Sequence, residues 1–230
     1  MRLSIIVPVL NENGLVLECV KRLARLNDAG HELILVDGGS EDLPEEALRP
    51  HVDQLLVSKP GRAIQMNLGA DAASGDVFWF LHVDSQVDTE MVKAMEDAIE
   101  NGATWGRFDI RLSGAHPLLR VVERMMNWRS RKSGIATGDQ GIFTRRSLFK
   151  QVGGYPEQAL MEDVEISRRL KRHGMPACLS ERLVTSSRRW ERRGILRTIV
   201  LMWGLRLAYW LGVSPSRLAS LYRPCPTTSS

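Results

Sequence analysis

The sequence predicts an α/β fold, a doubly wound and mostly parallel sheet with helices on both faces and a C-terminal helical extension. Three observations predict it. The first hundred residues alternate short apolar runs with helix-period segments, and regular strand–helix succession implies parallel strands covered on both faces. The turns after the runs are rich in Gly, Asn and Asp, as at the ligand edge of an open sheet. The 230 residues, 43% hydrophobic and 25% charged, suit one soluble domain with a sizeable core.

The elements follow in order. "RLSIIVPV" is a short buried strand, and residues 14–30 carry Val16, Val20, Leu23 and Leu26 at helical spacing before Gly30. "HELILVDGGS" is a second strand ending in a Gly turn, and "DQLLVSK" is a third. "GRAIQMNLGADAASG" reads as a helix stopped by Gly75, and "DVFWFLHVDS" as a fourth strand. "DTEMVKAMEDAIENG" is a helix with Asp88 as N-cap and Gly102 just past its end. Beyond residue 103 the rhythm changes. "TWGRFDIRL" is strand-like, residues 118–132 form a basic helix, and "TGDQGIFTRR" is a Gly-bounded loop entering a short strand. A short helix in "MEDVEISRRL", an apolar segment from Ile195 to Val213 and a polar tail complete the chain.

The net charge of +4 hides a division. Residues 1–100 hold 8 Lys/Arg against 18 Asp/Glu, and residues 101–230 hold 23 against 9. The halves are therefore expected to face different partners, the basic one phosphates, an anionic membrane or nucleic acid. Cys19, Cys178 and Cys225 lack metal-ligand spacing and are expected as reduced thiols of a cytosolic protein. Ile5–Leu10 is too short for a signal peptide, and Pro8 interrupts it.

The predicted strand ends read "PVLNEN", "VDGGS", "SKPGR" and "LHVDS". Asp37 can accept a hydrogen bond from a base or ribose, and Gly38 and Gly39 allow close backbone approach. Asn11 and Glu12 lie one strand away. Each alone fits plain turn chemistry, but their coincidence on one edge favours a ligand. Period-two alternation puts Phe78, Phe80, His82 and Asp84 on one strand face. His82 and Asp84 then suit Mn²⁺ or Mg²⁺, or equally a hydrogen-bonded His beside an Asp-initiated turn. In "MEDVEISRRL", Asp163, Ile166, Ser167 and Leu170 fall on one inward stripe. Asp163 either caps that helix or faces a substrate.

"SIIVPVLNEN", "ILVDGGSED", "GRAIQMNLGADAASGD", "FLHVDS" and "MEDVEISRRL" together resemble the family 2 glycosyltransferases of the GT-A fold, a Rossmann-like sheet. "TGDQGIFTRRSLFKQVGGYPE" is similar to a compact bacterial subgroup associated with radical-SAM and selenodomain proteins. The resemblance implies a sugar transferase with nucleotide, usually uridine, held by Pro8, Asn11, Glu12, Asp37, Gly38, Gly39, Arg62, Asn67 and His82. Asp84 resembles the second acid of the metal-binding Asp-x-Asp, whose first acid is His82 here. Asp163 resembles the general base of direct, inverting displacement, with Glu162 orienting the loop or acceptor. The implied arrangement is a transferase domain over residues 1–193. Residues 1–100 form its nucleotide half and 101–193 its acceptor half, while 194–230 join the same domain or a membrane surface.

Gly138, Asp139 and Gln140 are candidates for the acceptor pocket, or for a plain turn before a strand. Arg188, Arg189 and Trp190 can clamp the diphosphate and stack on a sugar, or form a solvated basic loop with Trp190 in the core. Trp190 closes "SSRRW", which resembles the Gln-x-x-Arg-Trp motif of processive members with Ser186 in place of Gln.

Arg197 and Arg206 interrupt the apolar segment and, nine residues apart, point to opposite sides of a helix. A membrane span is disfavoured by about 2.5–3.5 kcal/mol per central arginine. A helix packed on the domain or resting on anionic lipid remains, and a lipid-linked or small-molecule acceptor agrees with either. The expected location is the cytoplasm or the inner face of the membrane. A non-catalytic sugar-nucleotide binder or scaffold is the alternative, disfavoured by the presence of both Asp84 and Asp163. A sugar-1-phosphate nucleotidyltransferase would open with a Gly-rich loop that "PVLNENG" lacks. No nucleic-acid partner is expected, because no recognised module is present.

Overall fold

The computed structural model describes residues 1–222, apart from the side chains of Asn13, Asn27 and Asp28. Cys225 and most of the expected polar tail lie outside the described residues. In chain order the elements are β1 (Leu3–Val9), α1 (Asn13–Asp28), β2 (Glu32–Asp37), α2 (Glu45–Leu48), β3 (Gln54–Val57), α3 (Arg62–Ala72), β4 (Val77–Phe80) and α4 (Thr89–Glu100). There follow β5 (Trp105–Leu112), α5 (Pro117–Ser133), β6 (Phe143–Arg145), α6 (Arg146–Gln151), α7 (Glu162–Lys171), β7 (Ala177–Thr185), α8 (Arg188–Arg193), α9 (Ile195–Trp210) and α10 (Pro215–Leu221).

Seven strands form one sheet in the order β3-β2-β1-β4-β6-β5-β7. β3, β2, β1 and β4 run parallel, as their helical crossovers require. β6 reverses direction between β4 and β5, and β7 pairs parallel with β5. The sheet is mixed, with its parallel part on the N-terminal side.

Strand alternation separates two cores. Leu33, Leu35, Val77 and Trp79 face α1 and α4, where Val16, Val20, Leu23, Leu26, Met91 and Met95 complete one cluster. Ile34, Val36, Phe78 and Phe80 face α3, α6 and α7, meeting Ala63, Met66, Phe149, Ile166 and Leu170. The α1 stripe and the Asp88 cap are as expected; the Met91 N–H donates to Asp88 Oδ1 at 2.9 Å. At Gly69 of α3 a Cβ would come within 2.5 Å of Ile6, so a glycine sets this close helix–sheet spacing.

Two expectations change. β4 ends at Phe80, and His82 to Ser85 form a turn closed by the Ser85 N–H donating to the His82 carbonyl at 3.0 Å. Strand pairing with the three-residue β6 runs out before them, so His82 and Asp84 are presented by a turn rather than a strand face. Arg188, Arg189 and Trp190 of "SSRRW" open the helix α8 rather than forming a loop. The C-terminal segment packs on the sheet domain. Ile195 and Ile199 of α9 join Ile110, Leu119 and Val122, and Leu205 joins Met161 and Leu218. Among the described residues, no helix is long and apolar enough to cross a membrane.

Candidate active site

Beyond the carboxyl ends of β1 and β4 lies a cavity of about 630 Å³, within the usual size of small-molecule sites. Of the residues singled out in the sequence, Pro8, Glu12, Arg62, His82, Asp84, Gly138, Asp139, Glu162, Asp163, Arg188, Arg189 and Trp190 line it. The wall has two characters. Charged side chains occupy the strand ends, whereas Val122, Met126, Met161, Ile199, Met202 and Leu205 of the later elements form an apolar side.

Asp163 sits in the first turn of α7 but does not serve as its N-cap. That position is Met161, with φ of 66° and no side-chain cap bond. This left-handed conformation is costly for a buried, non-glycine residue, and it aims the acidic pair at the cavity. The Gly138 N–H donates to Asp163 Oδ2 at 3.0 Å, and the Val164 N–H donates to Oδ1 at 2.7 Å. These bonds fix the carboxylate and leave further lone pairs on both oxygens. Glu162 is buried. Burial, then the Asp163 charge, raises its carboxyl above the ordinary range, against the pull of Arg62. The same two acids raise the Tyr155 hydroxyl, after burial as the larger cause.

His82 Nδ1 lies 3.2 Å from Asp139 Oδ1. Burial would raise the Asp139 carboxyl, but the His82 hydrogen bond and charge, with Arg62, hold it below its ordinary range. The other ring nitrogen, Nε2, faces the turn at Gly138. At Gly138 a Cβ would come within 2.6 Å of that Nε2, so this position must stay bare. Asp84 Oδ1 is 3.5 Å from the Thr185 hydroxyl at the cavity wall. Glu12 is raised by burial, opposed by Arg188, whose Nη2 stands 4.0 Å from Glu12 Oε2.

The acidic pair at the α7 start thus shares one cavity with Glu12, His82 and Asp84 beyond the parallel strand ends. The family model described as Glycosyl transferase family 2 matches residues 4–153. The chain belongs to glycosyl transferase family 2. The chain is 30% identical over 169 residues to a PGL/p-HBAD biosynthesis glycosyltransferase of Mycobacterium bovis, covering 66% of the chain and 62% of the relative. The chain thus spans less than two thirds of that relative's length. An uncharacterized glycosyltransferase, YibD of Escherichia coli, is 25% identical over 160 residues, with 63% and 45% covered.

Among solved structures, the mannosyltransferase PcManGT of Pyrobaculum calidifontis, in complex with GDP-Man and Mn²⁺, has a TM-score of 0.66 at 18% identity. It covers 97% of this chain and 65% of that one. S. aureus TarS 1-349, in complex with UDP, has a TM-score of 0.65 at 21% identity, covering 81% and 60%. The chain therefore has the GT-A fold expected from its motifs.

Several expected site residues point elsewhere. Asp37 is buried and accepts from the Gly39 N–H, the Ser40 N–H and the Ser40 hydroxyl, so its carboxylate closes its own turn. The Asn11 N–H donates to Ser40 Oγ, and Asn11 Oδ1 accepts from the Glu41 N–H, stitching the β1 and β2 ends together. Gly38 and Gly39 belong to this stitched turn and, with Asn11 and Asp37, stand outside the cavity wall. Asn67 exchanges two hydrogen bonds with the Tyr155 backbone, at 2.8 and 2.9 Å, and braces the loop before α7. Gln140 is fully buried and accepts from the Thr137 N–H, so it builds the turn instead of facing an acceptor. Arg189 lies 4.4 Å over the Tyr222 ring, and Trp190 packs against the Ile110 cluster while its edge reaches the cavity.

Among the cavity residues that escaped sequence reasoning are Arg129 of α5 and Thr185 of β7. Arg129 stands in a run of basic residues that reads as a solvated face. β7 went unread because Ser180, Glu181 and Arg182 break its apolar pattern. Arg206 was visible only as an interruption of apolar sequence, and that interruption was the signal.

Proposed function

We propose that the protein transfers a sugar from a nucleotide-sugar donor, UDP-linked, to an acceptor hydroxyl, with inversion and with Asp163 as general base. The observation that carries this reading is the convergence of Asp163, Glu162, His82, Asp84 and Arg62 on one cavity at the ligand edge of the sheet. Solved relatives of the fold that hold UDP, UDP-GlcNAc or GDP-Man with Mn²⁺ support the donor class.

In the proposed step the acceptor oxygen bonds the anomeric carbon as the bond to the diphosphate oxygen breaks. The electron pair leaves with UDP, and the acceptor proton passes to Asp163. A base so placed contributes ~10²–10⁴-fold. Met161 and Gly138 hold Asp163 against the α7 start, and Glu162 orients the acceptor. Arg62 and Arg188 balance the diphosphate charge.

Among the described residues, no group of three His, Cys, Asp or Glu side chains could hold a metal ion. Asp84 and His82, separated by Val83 in the turn after β4, would hold Mn²⁺ or Mg²⁺ together with substrate phosphates, the usual mode when few protein ligands are present. When bound, such an ion stabilises the charge that grows on the leaving phosphate. In this reading residues 1–193 are the transferase domain, 1–100 donor-facing and 101–193 acceptor-facing, and the packing of α9 supports including the described residues beyond 193. Leu196, Val200, Trp203, Leu207 and Trp210 make an exposed apolar stripe on α9. With Arg192, Arg193 and Arg197 nearby in sequence, that stripe supports peripheral contact with anionic membrane.

The test is a nucleotide screen by thermal shift, followed by release of nucleotide from UDP-sugars. UDP with Mn²⁺ is expected to raise the melting temperature more than ADP or either component alone, and Asp84→Ala to abolish the metal-dependent part. An equal response to all nucleotides contradicts the uridine donor. A metal response unchanged in Asp84→Ala places the ion elsewhere.

A further inference from the structure

The basic side of the cavity holds an imbalance that the transfer step does not use. Arg129 from α5 and Arg206 from α9 both line the wall on the side of Asp163. Arg129 Nε and Nη2 and Arg206 Nε are buried without a hydrogen-bond partner. Neither arginine forms an ion pair among the described residues. Asp163 is the acid whose charge both feel, yet its carboxylate accepts from backbone N–H groups rather than from either guanidinium. Arg107, wholly buried on β5, also leaves its Nε without a partner, but it pairs with Asp109 and donates to the Asn127 carbonyl.

Both arginines are half-buried, and buried donors without an acceptor are costly, the more so on two cations that repel each other. Burial and the Arg206 charge together lower Arg129 to about 10, which still leaves it cationic at neutral pH. The arrangement therefore presents fixed donors to an anion that arrives with a ligand.

The neighbouring wall says what that ligand looks like. Val122, Met125 and Trp128 of α5 face the cavity together with Ile199, Met202 and Trp203 of α9. Trp128 and Trp203 are 64% and 58% exposed, so this apolar wall opens outward instead of closing into core. The donor's diphosphate has its own balancing charges, Arg62 and Arg188, at the strand-end side.

Resting on the transferase reading, we infer that the acceptor is an anionic amphiphile: Arg129 and Arg206 hold a phosphate or carboxylate beside the reacting hydroxyl, and the apolar remainder leaves between α5 and α9. Both arginines act on the acceptor, and the two tryptophans flank its exit.

Calorimetric titration of the full chain with decyl phosphate, decanoate, decanol and inorganic phosphate, below micellar concentrations, tests this. Wild type is expected to bind at least one of the two alkyl anions roughly tenfold or more tighter than decanol or inorganic phosphate. The tighter of the two identifies the anion as phosphate or carboxylate. Arg129→Gln and Arg206→Gln are each expected to weaken that anion about tenfold while leaving decanol within twofold. Arg206→Lys, which keeps the charge, is expected to lie between Arg206→Gln and wild type. Equal affinity for decanol and the alkyl anions overturns the proposal, as does wild-type anion affinity in both Gln variants. Failure is separable from that of the transferase reading. Protein that responds to UDP with Mn²⁺ but does not discriminate the anions refutes this site alone. Protein that ignores UDP yet binds the anion through both arginines refutes the transferase reading and leaves the site standing.

Discussion

The β1–β2 edge and the α5–α7–α9 side of the cavity are built from similarly polar residues and end in opposite states. At the first, Asp37, Asn11, Ser40 and Glu41 close on one another, and the Gln65 amide donates to the Val9 and Val36 carbonyls at 2.7 and 2.8 Å. At the second, Glu162 is buried beside another acid, Met161 holds a left-handed backbone, and two arginines keep buried donors unpaired. One edge spends its polar groups on itself and gains rigidity. The other leaves them unsatisfied, which costs stability and is tolerated where a ligand completes the set.

The comparison breaks most visibly at Asp37. Asp37→Ala removes three accepted bonds, and bonds to a charged group contribute about 1.5–3 kcal/mol each before compensation by water. A net loss of roughly 2–3 kcal/mol is expected, lowering the melting temperature by roughly 5–10 °C at this chain length. Denaturation of the variant with and without UDP and Mn²⁺ checks it. A variant that keeps its stability but loses the nucleotide response would make Asp37 a ligand contact and the closed turn incidental.

The opposite sign is expected at Glu162, with a smaller magnitude. The folded protein keeps the Glu162 proton to a higher pH than the unfolded chain, for which 4.5 applies. That contribution to stability is present below pH 4.5 and is lost as pH rises through the raised folded value. Glu162→Gln stays neutral throughout. It should therefore melt above wild type at pH 8, by less than Asp37→Ala loses, and close to wild type near pH 4. A variant that is destabilised equally at both pH values would mean that Glu162 is held by favourable contacts instead.

These contrasts mark how far the sequence could be read. Apolar runs and helical spacing are local, so β1 to β4, α1, α3 and α4 were legible, as was the Asp88 cap. The short antiparallel β6 and the parallel return of β7 beside β5 depend on long-range pairing, and no local pattern in "ACLSERLVT" announces it. Among site residues, Asp163 and Asp84 were legible because their motifs sit in ordered spacing along the chain. Asn67 on α3 and Gln140 in its turn bond neighbouring backbone, and an amide reads the same in sequence whether it meets a ligand or such a neighbour. The Arg129–Arg206 pair joins two helices far apart in sequence. Only the fold sets them together.

The central claim is that Asp163 faces a substrate proton, and one measurement addresses it most directly. Asp163→Asn keeps the size and the bonds accepted from Gly138 and Val164 by its carbonyl oxygen in part, but it cannot take a proton. Transfer from a UDP-sugar to an identified acceptor should be compared with UDP affinity and melting temperature in the same preparation. The expected result is turnover lower by ~10²–10⁴-fold, with nucleotide binding nearly normal and melting within a few degrees of wild type. Turnover near that of wild type, with the same acceptor and intact binding, would contradict the assignment of Asp163 as the base.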